Sequence, residues 1–288
     1  VLELVLQLEA IEDHILDARQ LSDQAEEQMI SDIEIVKKMK REIIEAMLLT
    51  GEGHLPSAFS IIDILWVLYD KILNIDSNNI EKDDRNHFIL SKGHGALALY
   101  AVLSERNFFT KEELRKFARY DSPLGGHPDC KKVLGVEAST GSLGHGLPMA
   151  IGMALGMKIR RLNHRVYTIV GDGECNEGTI WESALLASHH CLNNLVCIID
   201  YNHSTDRALT LGNLSDKFSS FGWCVTIVNG HIHEEILKGL KIIDDHRPLV
   251  IIADTIKGKG IKMIENNPAW HHRGPTQEEA SIMLKELQ

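Results

Sequence analysis

An apolar run over 165–170 breaks at Gly171-Asp172-Gly173, and a second, over 194–200, gives way at Tyr201-Asn202. A carboxylate and an amide oxygen, each at the end of a β-branched run and thirty residues apart, can be offered to one cation. With a nearby main-chain carbonyl they make an all-oxygen set suited to Mg²⁺ or Ca²⁺. Mg²⁺ usually takes one or two protein carboxylates and leaves its other positions to phosphate and water. Gly171 and Gly173 allow close backbone approach to a ligand. A helix starting near Glu177 or Gly178 would turn its unpaired N–H groups toward an anion. Gly-Asp-Gly alone is equally an ordinary strand-to-helix turn; its pairing with Asn202 is what points to metal and phosphate.

The elements that must place these residues are readable from periodicity. "IEIVKKMKREIIEAMLL" and "SIIDILWVLYDKIL" read as helices. Short β-branched runs follow at 87–91, 165–171, 194–200, 223–228 and 248–255, separated mostly by helical stretches such as 143–160, 177–191 and 232–243. Strands that alternate with helices and are apolar throughout predict α/β architecture: a doubly wound parallel sheet with helices on both faces. Ligands of such sheets bind beyond the carboxyl ends of the strands. Residues 33–288 read as one domain with no internal repeat or Pro/Ser linker. Residues 1–32 read as an acidic helical extension with Leu4, Leu8, Ile11 and Ile15 on one stripe, either packed on the body or free to interact.

Composition narrows the class. The chain has 288 residues, 25% charged and 44% hydrophobic, which is globular rather than disordered. The net charge of −11 argues against a nucleic-acid surface. Nine of the acids, against Arg19 alone, fall in residues 1–32, so the remainder is near −3 and can accept an anionic substrate. Five cysteines without zinc-like spacing suggest reduced thiols. No run approaches the ~18 apolar residues of a membrane helix, and no signal-peptide pattern is seen. The expectation is a cytoplasmic protein that contacts neither membrane nor nucleic acid.

Fifteen histidines are many for this length, and His54, His94, His127 and His271 fall in Gly-rich turns. Imidazole can donate or accept toward hydroxyls and a carbonyl, and can move protons near pH 7.

Gly-Asp-Gly followed some thirty residues later by Asn resembles the thiamine-diphosphate-binding signature. "GDGECNEGTIWESALLASHH" resembles its transketolase form, and "GEGH", "LSKGHGALALYAVL", "GGHPD", "STGSLGHGLPMAIGMALGMK" and "TIKGKGIKMIENNPAWHH" occur in transketolase order over about 33–288. The chain looks like the N-terminal subunit of a split, two-chain transketolase. That resemblance implies a metal held by Asp172, Asn202 and the carbonyl of Ser204, which in turn holds the diphosphate. It implies that Gly141, Leu143 and Gly144 approach the cofactor through their backbone, that Ile256 presses on its rings, and that Gly171, Gly173 and Glu174 lie beside it. His54, His94 and His127 would line the substrate channel, with His94 also near the cofactor. His271, or His272 if the register slips, would sit near the diphosphate and the reacting carbons. Glu177 would couple two sites by facing a partner subunit, although an acid in a helix's first turn equally complements its dipole. The implied activity is transfer of a two-carbon ketol unit from a ketose phosphate to an aldose. The activating Glu would come from a C-terminal subunit, in a heterotetramer of two of each chain.

Some positions depart from the family pattern. Gly-His-Pro-Gly reads Gly53-His54-Leu55-Pro56, the usual Gln of the Ser-Leu-Gly turn is His145, and the segment after Asn202 is "HSTDRALT". Asp206 and Arg207 in that segment could alter substrate specificity. Three other readings stay open: a chain resembling deoxyxylulose-phosphate synthase, part of a 2-oxoacid dehydrogenase, and a non-catalytic scaffold half.

Overall fold

The computed structural model describes residues 27–73, 75–80, 82, 84–206 and 208–288. The proposed extension therefore lies almost wholly outside the described residues, as does Arg207. Two compact units divide at Lys38 and Met39. In the first, Gln28 Nε2 donates to Asp32 Oδ1 at 3.0 Å, an i,i+4 pair on helical backbone.

In chain order the elements are helix α1 (27–50), α2 (Leu55–Lys71), strand β1 (His87–Leu90), α3 (Ala96–Glu105), α4 (Lys111–Leu114), α5 (Gly146–Ile159), β2 (Val166–Gly171), α6 (Gly178–His189), β3 (Leu195–Tyr201), α7 (Leu214–Ser220), β4 (Cys224–Asn229), α8 (His233–Leu240), β5 (Leu249–Asp254) and α9 (Gln277–Glu286). All five strands pair in parallel, in the order β1-β2-β3-β5-β4. The doubly wound expectation is met.

Each strand predicted from a β-branched run is present, and the central ones are buried on both faces. β4 differs. As an edge strand it leaves most of its side chains partly or fully open, and Ile227 is 63% exposed. The second helix starts earlier than its apolar pattern, because Pro56 in its first turn removes only an N–H that would have no intrahelical partner.

One face of the sheet packs on α5, α6 and α7 through Leu147, Ile151, Ile180, Ala184, Leu214 and Phe218. Cys175 and Cys197 are fully buried in that layer, which gives Cys175 a packing role. The other face meets α2 and α8, with Ile64, Ile236 and Leu240 against Ile198, Ile251 and Ala253. Because the strands are parallel, β1, β2, β3 and β5 all end at one edge. There the turns at 91–95, 171–177, 202–206 and 255–260 come together.

Candidate functional site

Strand register puts the two predicted metal ligands side by side. Gly171 pairs with Asp200, so Asp172 and Asn202 leave neighbouring strands one residue apart in register. Asp172 opens a short 3₁₀ turn and accepts the Gly173 N–H at 2.7 Å. Ser204 joins the pair: its N–H donates to Asp172 Oδ2 at 2.8 Å and to Asn202 Oδ1 at 3.2 Å, and its hydroxyl donates to Asp172 Oδ1 at 3.0 Å. The carboxylate and the amide oxygen thus converge on one N–H, and both residues are buried. Asn202 is oriented from behind, since its Nδ2 donates to Asp200 Oδ2 at 2.8 Å. Among the described residues no three His, Cys, Asp or Glu side chains group as a metal site. What converges here is one carboxylate and one amide oxygen, a set that suits a hard cation finishing its shell with phosphate and water.

The four turn histidines share the cleft next to these oxygens. A cavity of 310 Å³ is lined by His54, His94, His127 and His271, and also by Gly141, Leu143, Gly171, Asp172, Gly173, Glu174, Asn202 and Ser204. The His54 ring centroid lies 5.1 Å from that of His94, 5.3 Å from His271 and 4.6 Å from His272. His54 Nδ1 must carry a hydrogen, because it donates to the His271 carbonyl at 2.8 Å. Burial lowers His54 to about 4, the His271 carbonyl bond notwithstanding. Burial, then the nearby Lys92 charge, takes His94 down to about 2. His271 is lowered too, by burial and by Lys257. A neutral imidazole keeps one donor and one acceptor for a polyhydroxy ligand.

Backbone conformation brings the glycine turn close. Gly141 (φ +151°) leaves room for the His127 ring, whose Cδ2 would lie 3.0 Å from an added Cβ. Gly144 (φ +81°) packs so tightly that a Cβ would meet Thr179 Oγ1 at 2.2 Å. A buried carboxylate holds this turn. Glu174 accepts the Ser91 hydroxyl at 2.5 Å, the Gly144 N–H at 2.7 Å and the Gly171 N–H at 3.1 Å. Burial raises its pKa despite those three donors.

Residues 31–287 match the family described as transketolase, thiamine diphosphate binding domain. The chain belongs to the transketolase family. It is 33% identical to a subunit of the apulose-4-phosphate transketolase of Phocaeicola vulgatus, over 87% of this chain and 92% of that one. It is 36% identical to the 6-deoxy-6-sulfo-D-fructose transketolase subunit SqwG of a Clostridium species, over 88% and 94%. Among solved structures it is similar to the transketolase of Campylobacter jejuni, with a TM-score of 0.82 and 28% identity, covering 89% of this chain and 43% of that one. It therefore spans about two fifths of that solved transketolase.

Several residues of this transketolase chain's cleft are missing from the motif reading. Lys92 Nζ and Asp200 Oδ2 form an ion pair at 2.5 Å, 1% and 0% exposed. Ser60 Oγ and Thr255 Oγ1 donate to the same carboxylate at 2.8 and 2.5 Å. Burial pushes the Asp200 carboxyl up, but Lys92 and these donors hold it below its usual range. The signals were present: an Asp inside the apolar run "CIIDY" needs a buried cation, and a Lys follows the strand in "LSKG". Lys257 also lines the cleft, with Nζ 3.5 Å from His271 Nδ1, and its pKa is lowered by burial and by Lys92.

Three predicted residues stand outside the 310 Å³ cleft. Gly144 is tied to the cleft-lining Glu174 by its N–H. Glu177 is the exposed N-cap residue of α6 and makes no capping bond. Ile256 lines an adjoining 730 Å³ cavity, which also borders Asn202, Ser204, Lys257 and His271. His203 and Asp206 border that cavity too, joined by a 3.0 Å hydrogen bond.

Proposed function

We propose that this chain is the N-terminal subunit of a two-chain transketolase. It would transfer a two-carbon ketol (glycolaldehyde) unit from a ketose phosphate to an aldose acceptor, using thiamine diphosphate and Mg²⁺. The convergence of Asp172, Asn202 and Ser204 beside four histidines carries this reading. Two relatives named as subunits, matched over nine tenths of their length, support the two-chain arrangement. A C-terminal subunit would supply the activating Glu, and two of each chain would form the working cytoplasmic assembly. Among the described residues no helix is long and apolar enough to cross a membrane.

Asp172, Asn202 and the main-chain carbonyl of Ser204 would hold Mg²⁺ and, through it, the diphosphate. Gly141, Leu143, Gly171 and Gly173 would lie against it, and Ile256 would lie against the rings. When bound, thiamine diphosphate supplies a nucleophilic carbon and an electron sink for carbon–carbon cleavage. His54 commits Nδ1–H to a carbonyl, so Nε2 is left as an acceptor for a donor hydroxyl and can take up its proton. His94 and His127 would orient the other oxygens, and His271, backed by Lys257, would stand near the diphosphate. Glu177 would meet the partner subunit.

The test is to mix this chain with a C-terminal partner chain and follow cleavage of xylulose 5-phosphate, with and without thiamine diphosphate and Mg²⁺. Turnover is expected only with both chains and both cofactors. Turnover by this chain alone would sink the two-chain reading. No turnover by the pair on a panel of ketose phosphates would sink the transferase reading.

A further inference from the structure

Behind the segment that carries Ile256 lies a second group of titratable side chains, outside the cleft. Asp63 of α2 is 7% exposed. Its Oδ2 accepts from His231 Nδ1 at 3.0 Å, and its Oδ1 accepts from His233 Nε2 at 3.1 Å. Lys40 Nζ of α1 stands 3.8 Å from Oδ2 and donates to the Lys259 carbonyl at 3.1 Å. Burial pushes the Asp63 carboxyl up, yet the two imidazole donors and Lys40 hold it well below the usual carboxylate range.

The other nitrogen of His231 is engaged as well. The Ile256 N–H donates to His231 Nε2 at 2.9 Å. A nitrogen that accepts an N–H carries no proton, and a nitrogen facing a carboxylate carries one, so Asp63 selects the tautomer that can receive Ile256. Ile256 follows β5 with only Thr255 between, and Thr255 is tied to Asp200. Neither Asp63 nor His231 lines either of the two cavities of the cleft.

We infer that Asp63 and His231 form a positioning pair that holds the Ile256 backbone, and so aims the Ile256 side chain at the ring system of the bound cofactor. The inference rests on the cofactor reading given above. It assigns the pair to the rings and not to the diphosphate, because the bonds of Asp63 and His231 run to Lys40, His233 and Ile256 and not to Asp172, Asn202 or Ser204. Removing the outer hydrogen-bond partners of metal ligands typically costs about tenfold to a hundredfold in affinity, and the lower end of that range is the expectation for this pair. They act by pre-organising the group that makes contact.

The experiment titrates the complex of this chain with its C-terminal partner, in Mg²⁺, with thiamine diphosphate and separately with inorganic diphosphate, by calorimetry at millimolar ligand. His231→Leu is expected to weaken thiamine diphosphate by about tenfold and leave inorganic diphosphate unchanged. His231→Gln, whose amide can donate to Asp63 and accept from Ile256, is expected to restore affinity. Equal losses for both ligands, no loss for either, or failure of Gln to restore would overturn the inference. A wild-type two-chain complex that binds neither ligand would overturn the cofactor reading and this inference with it. A second readout needs no variant: ¹⁵N resonances of His231 in the wild-type chain should show a protonated Nδ1 and a bare Nε2. A protonated Nε2 would overturn the pair.

Discussion

Asp172 and Ser204 are joined twice, by a main-chain N–H to Oδ2 at 2.8 Å and by a hydroxyl to Oδ1 at 3.0 Å. The loop after β3 is thereby tied to the turn after β2, and the oxygens of Asp172 and Asn202 are kept at one point. Replacing Asp172 with Ala should remove metal-dependent uptake of thiamine diphosphate, by at least the ~100-fold that an outer-sphere metal partner can be worth. Chelation of the wild-type chain should do the same, with recovery on adding Mg²⁺ or Ca²⁺. Unchanged affinity by calorimetry in either experiment would overturn the proposal that Asp172 holds a metal.

The Lys92–Asp200 pair should be costly to break from one side. Lys92→Met leaves a buried carboxylate without its cation, and about 3–5 kcal/mol of stability should be lost. The double variant Lys92→Met, Asp200→Leu should recover much of this in denaturant melts. A single-variant loss near zero would mean that water reaches Asp200.

Acid sensitivity follows from the histidine cleft. The His54 pKa is depressed in the folded chain, from 6.5 to about 4. Between those values the unfolded chain binds a proton that the folded chain does not, so stability rises with pH across that window. It is therefore lost as pH falls from about 6.5 toward 4. His54→Gln should flatten this part of a Tm-against-pH curve. An unaltered curve would place the titration elsewhere.

Two glycines should separate folding from binding. Gly144→Ala forces a Cβ toward Thr179 Oγ1 at positive φ and should cost about 1–3 kcal/mol. A Cβ on Gly173 meets nothing within 4 Å, so Gly173→Ala should melt within about 0.5 kcal/mol of wild type. Because it adds bulk to a backbone that lines the cleft beside Asp172, the same change should weaken thiamine diphosphate binding. Equal effects of the two variants on melting would contradict this division.

Local pattern alone determined the alternating strands and helices, the parallel sheet, and the residues closing β2 and β3. Burial of an apolar run and the breaking of a helix by glycine act between near neighbours, so spacing records them. The helix at Leu55 began before its apolar stripe because Pro56 sits without penalty in a first turn, a boundary that periodicity does not mark. The turn histidines stood out by residue type, but their convergence on one cleft depends on strand register.

Tertiary structure decided the partners. Lys92 meets Asp200 across 108 residues, and His231 meets Asp63 across 168. Such distances are set by which strands are neighbours in the sheet and by which helix covers their ends. Glu174, read from its motif as a cofactor neighbour, borders the cleft while its carboxylate is spent on three protein donors. A carboxylate in a motif announces that charge is needed there. What it bonds to depends on the donors that the fold brings within about 3 Å, because a buried charge must find partners wherever the chain has placed them.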